Sequence, residues 1–306
     1  MIFTFYFCKM HFIVTTIKNQ RFTYMKKTIL LALGILALAG KARSQYFFQD
    51  IYNTQQTVAT MALLKTNKVK VQVVQSMDAN MDTDNDFRCE RLLSPTYHQM
   101  RAVSQSRATG YSVTTSSFSP KGLLTKTTDS TDASVTITLY RYDAGNRLQY
   151  ISSTSSARDS KMRFDETRSY AYDTTGHLLT MIQKKGNNSD SVLVTFKTDS
   201  TGNVIEELET RKDMPGKRTF YNYDKQGHLT DVFRYHPLKK RMLPDYIFEY
   251  DDQQRLSKMT TVNAEQASYS IWKYNYQSNG LPLNEECYGK GNELLGTVKY
   301  NYVFNQ

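Results

Sequence analysis

Tyr221-Asn222-Tyr223-Asp224-Lys225-Gln226-Gly227-His228-Leu229 is the stretch on which the fold turns. It reads as aromatic, any residue, Tyr-Asp, two residues, Gly, polar, Leu. The phrase returns at Tyr170 (with Tyr172, Asp173, Gly176 and Leu178) and at Phe196, where Thr198 takes the Tyr slot but Asp199, Gly202 and Val204 are kept. Weaker copies flank these. Aligned on the slot of Tyr172, the chain gives Phe118, Tyr142, Tyr172, Thr198, Tyr223, Tyr250, Tyr276 and Tyr302, with steps of 24, 30, 26, 25, 27, 26 and 26 residues. A period of this length is the mark of a repeat architecture.

Each unit reads as strand, tight turn, strand. Arg218 to Tyr223 enters the turn with Tyr221 and Tyr223 on one face, and strict alternation places Leu229, Asp231 and Phe233 together on one face of the outgoing strand. Asp224 is suited to accept from the backbone amide two residues on, and Gly227 to take the positive φ that closes such a loop. The same logic runs through Ser191 to Leu208. It recurs from Asp245, where Gln254 replaces Gly, and from Tyr276, where Gln277 replaces Asp. The last copy, Val298 to Tyr302, is an incoming strand only. A lone hairpin is marginal, so the units must pair edge to edge. Tyr, Phe and Leu ladders across neighbouring strands then account for the 22 Tyr and 15 Phe without invoking a ligand.

The phrases Tyr142-Asp143-Ala144-Gly145-Asn146-Arg147-Leu148, Tyr172-Asp173-Thr174-Thr175-Gly176-His177-Leu178 and Tyr223 to Leu229 resemble the YD repeats of the Rhs family. The resemblance covers roughly residues 111–306. It implies a sheet of repeated β-hairpins of the kind that spirals into a shell in large Rhs and teneurin-like proteins. This chain looks like a short, stand-alone, exported Bacteroidetes-type version without a toxin domain. Seven or so hairpins are too few to wrap a cargo domain. The expected fold is therefore mainly β: an open, curved antiparallel sheet of hairpins at 111–306 with a small helix-plus-hairpin cap at 45–110. In the cap, Ile51 to Lys65 has helical apolar spacing, Lys68 to Val74 alternates like a strand, and Phe87 to Leu93 is its returning partner.

Residues 1–44 read as a leader that is removed. Met25-Lys26-Lys27 makes a basic start, Thr28 to Gly40 an apolar core, and Ala42-Arg43-Ser44 an A-x-A-like site before Gln45. The core is short for a membrane span, and no later stretch approaches the ~20 apolar residues of one. An exported chain, periplasmic or secreted, follows as the expectation. Seven of the 39 basic residues and none of the 29 acidic ones lie in 1–44, so loss of the leader takes the formal charge from +10 to +3. The remaining basic residues are dispersed, which excludes a nucleic-acid footprint.

Sites of chemistry are few. Asp78 to Asp86 carries oxygen ligands at alternating positions but has Thr83 and Cys89 where a calcium loop needs Gly and Glu, so a solvated turn is expected. His177 and His228 occupy one slot of two repeats and are not a pair. Asp143, Asp173, Asp199, Asp224 and Asp251 occupy equivalent turns, where capping accounts for them. Cys89 and Cys287 are either a bridge or two buried thiols. No catalytic, cofactor-binding or metal residue is assigned, and no cofactor is expected. The functional expectation is a non-catalytic binding or cell-envelope scaffold module whose partner is a protein or glycan of the envelope. A small-molecule or lipid carrier and a glycan-active enzyme are the alternatives.

Overall fold

The computed structural model describes residues 45–107, 109–186, 191–212, 214–237, 239–264 and 266–306, and the export-signal reading of 1–44 lies outside them. A π-helical segment, Phe47–Tyr52, runs into α1 (Asn53–Thr66). The strands follow as β1 (Val69–Met77), β2 (Arg88–Leu93), β3 (Gln99–Ser106), β4 (Gly110–Phe118), β5 (Leu124–Thr131), β6 (Ser134–Tyr142), β7 (Leu148–Ala157), β8 (Arg163–Tyr172), β9 (Leu178–Lys185), β10 (Ser191–Thr198), β11 (Val204–Arg211), β12 (Met214–Tyr223), β13 (Leu229–His236), β14 (Arg241–Tyr250), β15 (Leu256–Asn263), β16 (Ser268–Tyr276), β17 (Pro282–Tyr288) and β18 (Leu294–Phe304).

Every strand pairs antiparallel with its neighbours in sequence, and β1 pairs with β18 from Val69↔Phe304 to Met77↔Thr297. The result is a closed barrel of 18 strands, not the open curved sheet expected from the hairpin count. The reason lies at the N-terminus. The hairpin expected to cap the sheet, β1 with β2, instead lies within the wall and supplies the partner for the half-repeat β18. Closure leaves no sheet edge among the described residues. The helix does not cover the outside either. It occupies the lumen, packed against inner residues of the wall.

The repeat is legible as hydrogen bonds. In the turn after β12, Asp224 Oδ1 accepts from the amides of Gln226 at 2.9 Å and His228 at 2.8 Å, and Gly227 holds φ +87°. The aspartates at 143, 173, 199 and 251 make the equivalent bonds. Among them, side-chain and backbone bonds from Thr175 and His177 hold the Asp173 carboxyl below its ordinary range. In the copy at 142 the left-handed position belongs to Asn146 and not to Gly145. The tyrosine slot then latches each unit to the one before it. Tyr172 Oη donates to Leu148 O at 2.7 Å, Tyr223 to Val204 O at 2.9 Å, Tyr250 to Leu229 O at 2.8 Å and Tyr276 to Leu256 O at 2.8 Å. The residue before the Leu slot stacks on the next tyrosine, as Arg147 does on Tyr172, His228 on Tyr250 and Arg255 on Tyr276. His228 fills its slot in this way, whereas the tyrosine slot that follows His177 holds Thr198. Tyr223→Phe removes one latch and is expected to cost about 1 kcal/mol in urea denaturation, the net value of a single hydrogen bond.

Alternation fails at an equivalent place beside each Tyr-Asp turn. Asn222 pairs with Asp231 but Tyr223 pairs with Leu229, and the same shift follows Tyr142, Tyr172 and Tyr250. This bulge turns Leu229 and Val232 into the lumen, where they are buried, and leaves Asp231 and Phe233 on the outer face, correcting their common placement with Leu229. Phe233 stacks there on Phe220 at 5.5 Å.

Cys89 and Cys287 are both buried thiols. They stand on β2 and β17, three strand spacings apart through β1 and β18. At ~4.8 Å per spacing, a bridge needing Cα atoms within ~7 Å is out of reach.

Candidate functional site

The lumen has two unlike sides. From β9 round to β18 its wall is mainly apolar and aromatic, with Met181, Val194, Tyr221, Phe248, Trp272 and Tyr300 buried, and it also carries the buried carboxylates Glu207, Glu209, Asp245 and Glu285. The N-terminal segment fills this side. Phe48 packs on Tyr246 at 5.0 Å and Phe248 at 5.9 Å, and Phe47 meets Tyr221 edge-on at 5.2 Å. Its backbone is tied down at the same time. Glu207, fully buried on β11, accepts from the amides of Tyr46 and Phe47, each at 3.0 Å, and from Tyr221 Oη at 2.9 Å. A carboxylate is well placed there because the first amides of a helical segment have no intrahelical acceptor. Gln45 reaches Asp245 on β14 at 2.7 Å, and Tyr46 Oη reaches Gln183 on β9 at 3.1 Å. Burial, with the Glu209 charge adding to it, pushes the Tyr46 hydroxyl up to about 12. Lower down, Met61 and Leu64 of α1 pack with Leu93, Met100, Phe118 and Leu281, residues flanking the Tyr-Asp turns or their equivalents, and so close that end of the barrel.

From β4 to β7 the inner wall is built mainly of hydroxyls. Inner positions that carry Val, Tyr or Met elsewhere hold Thr114 and Ser116 on β4, Thr127 and Asp129 on β5, Thr136 and Thr138 on β6, and Ser153 on β7. These side chains are too small to reach α1, and a cleft of about 310 Å³ lies between wall and helix. Gln49, Asp50, Asn53, Thr54 and Thr57 form its helical side.

The charged groups of the cleft are held by one another. Arg168 on β8 donates to Asp50 and to Glu166, and Tyr170 Oη donates to the other oxygen of Asp50. Burial alone would raise the Glu166 carboxyl, but the charge and hydrogen bond of Arg168, with Gln183 and Lys185 adding to them, together hold that group low. Asp129 differs: burial raises its carboxyl and the bond from Thr114 Oγ1 at 2.9 Å offsets only part of that. Tyr140, buried at the bottom, is raised for the same first reason. Two polar atoms in this group have no partner among the described residues, Asn53 Oδ1 and Arg168 Nε.

The residues singled out for chemistry in the sequence lie elsewhere. The five turn aspartates cap turns on the rim, spread along successive repeats. In the loop between β1 and β2, Asp78 Oδ1 accepts from the amides of Asn80 and Asp82, and Asp84 from that of Asp86, so these side chains shape the loop. Among the described residues no group of three His, Cys, Asp or Glu could hold a metal ion. The cleft residues escaped notice because the signal is a substitution within the repeat: Ser and Thr at inner positions from 112 to 155. It becomes visible only when the repeats are aligned and the inner positions are read apart from the outer ones.

No family model and no curated protein matches the sequence. Solved structures do. The chain is similar to a porin-like protein from Bacteroides uniformis at 8% identity and TM-score 0.40, covering 78% of this chain and 97% of that one. It is similar to the Tc holotoxin pore of Photorhabdus luminescens at 14% identity and TM-score 0.32, covering 71% of this chain. A TcdB2-TccC3-Cdc42 complex matches at 14% identity and TM-score 0.31 over 74% of this chain. The chain spans 12% of the length of each of these two toxin chains.

Proposed function

We propose that this chain is a non-catalytic, exported binding module built of YD-type repeats, and that it takes a small polar ligand into the cleft between α1 and β4–β8. The cleft itself carries the reading: about 310 Å³ lies at the small end of ligand pockets, roughly 300–1,000 Å³. A lipid carrier would need the apolar side of the lumen, and Phe47 and Phe48 occupy it. Asp50 and Glu166 share Arg168 as a common partner, which argues for positioning rather than proton transfer. Among the described residues no helix is long and apolar enough to cross a membrane. The outer wall speaks against lipid as well. Lys197, Glu206 and Arg218 form an ion-pair row across three strands, and Lys258 pairs with Glu249 at 2.6 Å. Each Lys or Arg at the middle of a lipid-facing wall costs about 2–4 kcal/mol, so these ion pairs fit water.

Native mass spectrometry of the protein purified gently from its own host tests the reading. The expected result is a bound small molecule that is absent from a Thr127→Trp variant of unchanged melting temperature. Identical spectra for a folded variant and the parent would overturn it.

A further inference from the structure

We propose that the ligand of the cleft is a neutral polyol of monosaccharide size, bound by Asn53, Arg168 and Asp129. This rests on the cleft being a binding site and adds the chemistry of what fills it. Asn53 is 4% exposed, and its Nδ2 already donates to the helix carbonyl of Gln49 at 3.3 Å, which leaves Oδ1 as an unpartnered buried acceptor. Arg168 spends its terminal nitrogens on Asp50 and Glu166 and retains a buried donor in Nε. A ligand that supplies both partners completes hydrogen bonds that the protein alone leaves unmade.

The two orphans set complementary demands. Asn53 Oδ1 needs a donor, and Arg168 Nε needs an acceptor. A hydroxyl provides both, whereas an ammonium donates only and a carboxylate only accepts. Charge argues against an anion. The cleft holds Asp50, Asp129 and Glu166 against Arg168 alone, which repels anions. Asp129 adds a second acceptor on the opposite wall, on β5, so a ligand carrying hydroxyls on two sides bridges helix and sheet. The Ser and Thr hydroxyls around it rotate to donate or accept as required. Tyr140 contributes an aromatic surface at the same cleft.

Titration calorimetry of the full chain with a panel of hexoses and hexitols, set beside simple primary amines and carboxylates, tests this. At least one polyol is expected to bind, and its affinity is expected to fall tenfold or more in both Asn53→Leu and Asp129→Asn. The Asn53→Leu protein should lose no more than a few degrees of melting temperature, because Oδ1 has no protein partner and Nδ2 gives up a single bond of 3.3 Å to Gln49 O. Binding of amines or carboxylates but not polyols would overturn the polyol assignment while leaving the cleft as a site. Polyol binding that is unaltered in Asn53→Leu and Asp129→Asn, or that survives Thr127→Trp, would overturn the placement. If native mass spectrometry shows a cleft ligand that is not a polyol, this inference fails and the binding function stands.

Discussion

Glu207→Ala is expected to destabilise the protein by roughly 3–5 kcal/mol and to loosen the N-terminal segment before the barrel. Glu207 is fully buried and gathers three donors, two of them main-chain amides at the start of a helical segment. Hydrogen bonds to a charged group are worth about 1.5–3 kcal/mol each, and alanine leaves all three donors stranded without water. Partial relaxation keeps the total below the sum. Glu207→Gln retains one acceptor oxygen and should cost less. Urea denaturation reads the stability, and hydrogen exchange at Tyr46, Phe47 and Phe48 reads the segment. A Glu207→Ala protein within about 1 kcal/mol of the parent, with unchanged protection at these amides, would show that the segment is held by its aromatic packing alone.

Alkali should unfold the barrel cooperatively between about pH 10 and 12. Burial pushes the hydroxyls of Tyr46, Tyr172 and Tyr302 up to about 12, with the Glu209 and Asp143 charges adding to it at Tyr46 and Tyr172. It also raises those of Tyr140, Tyr223, Tyr250 and Tyr276, and carries Tyr170, Tyr221 and Tyr274 well above their ordinary value. In each case the fold favours the protonated phenol, which is the form that can donate to a carbonyl. The contribution is fully present below the unfolded value near 10 and is lost as pH rises through the folded values. Each such group removes up to about 1.4 kcal/mol per pH unit across that window. Several acting together exceed a typical stability of roughly 5–15 kcal/mol. Phenolate absorbance and far-ultraviolet circular dichroism should therefore change together, in one steep step. A gradual rise in phenolate absorbance at the ordinary tyrosine midpoint, with the circular dichroism intact, would contradict the buried latches.

The repeat made the strands and turns legible because its residues act locally. Asp224 and Gly227 shape a turn whichever sheet surrounds it, so hairpins, turn positions and the equivalence of His177 with His228 could be read from the sequence. Closure could not be. Whether β18 meets β1 depends on the N-terminal hairpin, whose alternation reads the same for a cap as for a barrel strand. The inner face was half legible. The bulge after each Leu slot shifts alternation by one, so Phe233 reads as inward and lies outside. The helix was legible as a helix, but its location was not. Phe47 and Phe48 are as compatible with an outer cap as with a lumen, and only Glu207 and Asp245, both mid-strand carboxylates at inner positions, mark the sheet that receives them. The cleft was hidden for a related reason. Serine and threonine suit exposed strands as well as inner walls, and their meaning depends on which face they take.

The seam between β1 and β18 bears the whole architecture, and Gln75 faces Lys299 across it. With cysteines at these two positions, mild oxidation should give near-complete intramolecular cross-linking of the monomer, visible as a shift in non-reducing electrophoresis and confirmed by peptide mass mapping. Monomer that stays uncross-linked, or dimers joined edge to edge through the same cysteines, would show that the sheet is open.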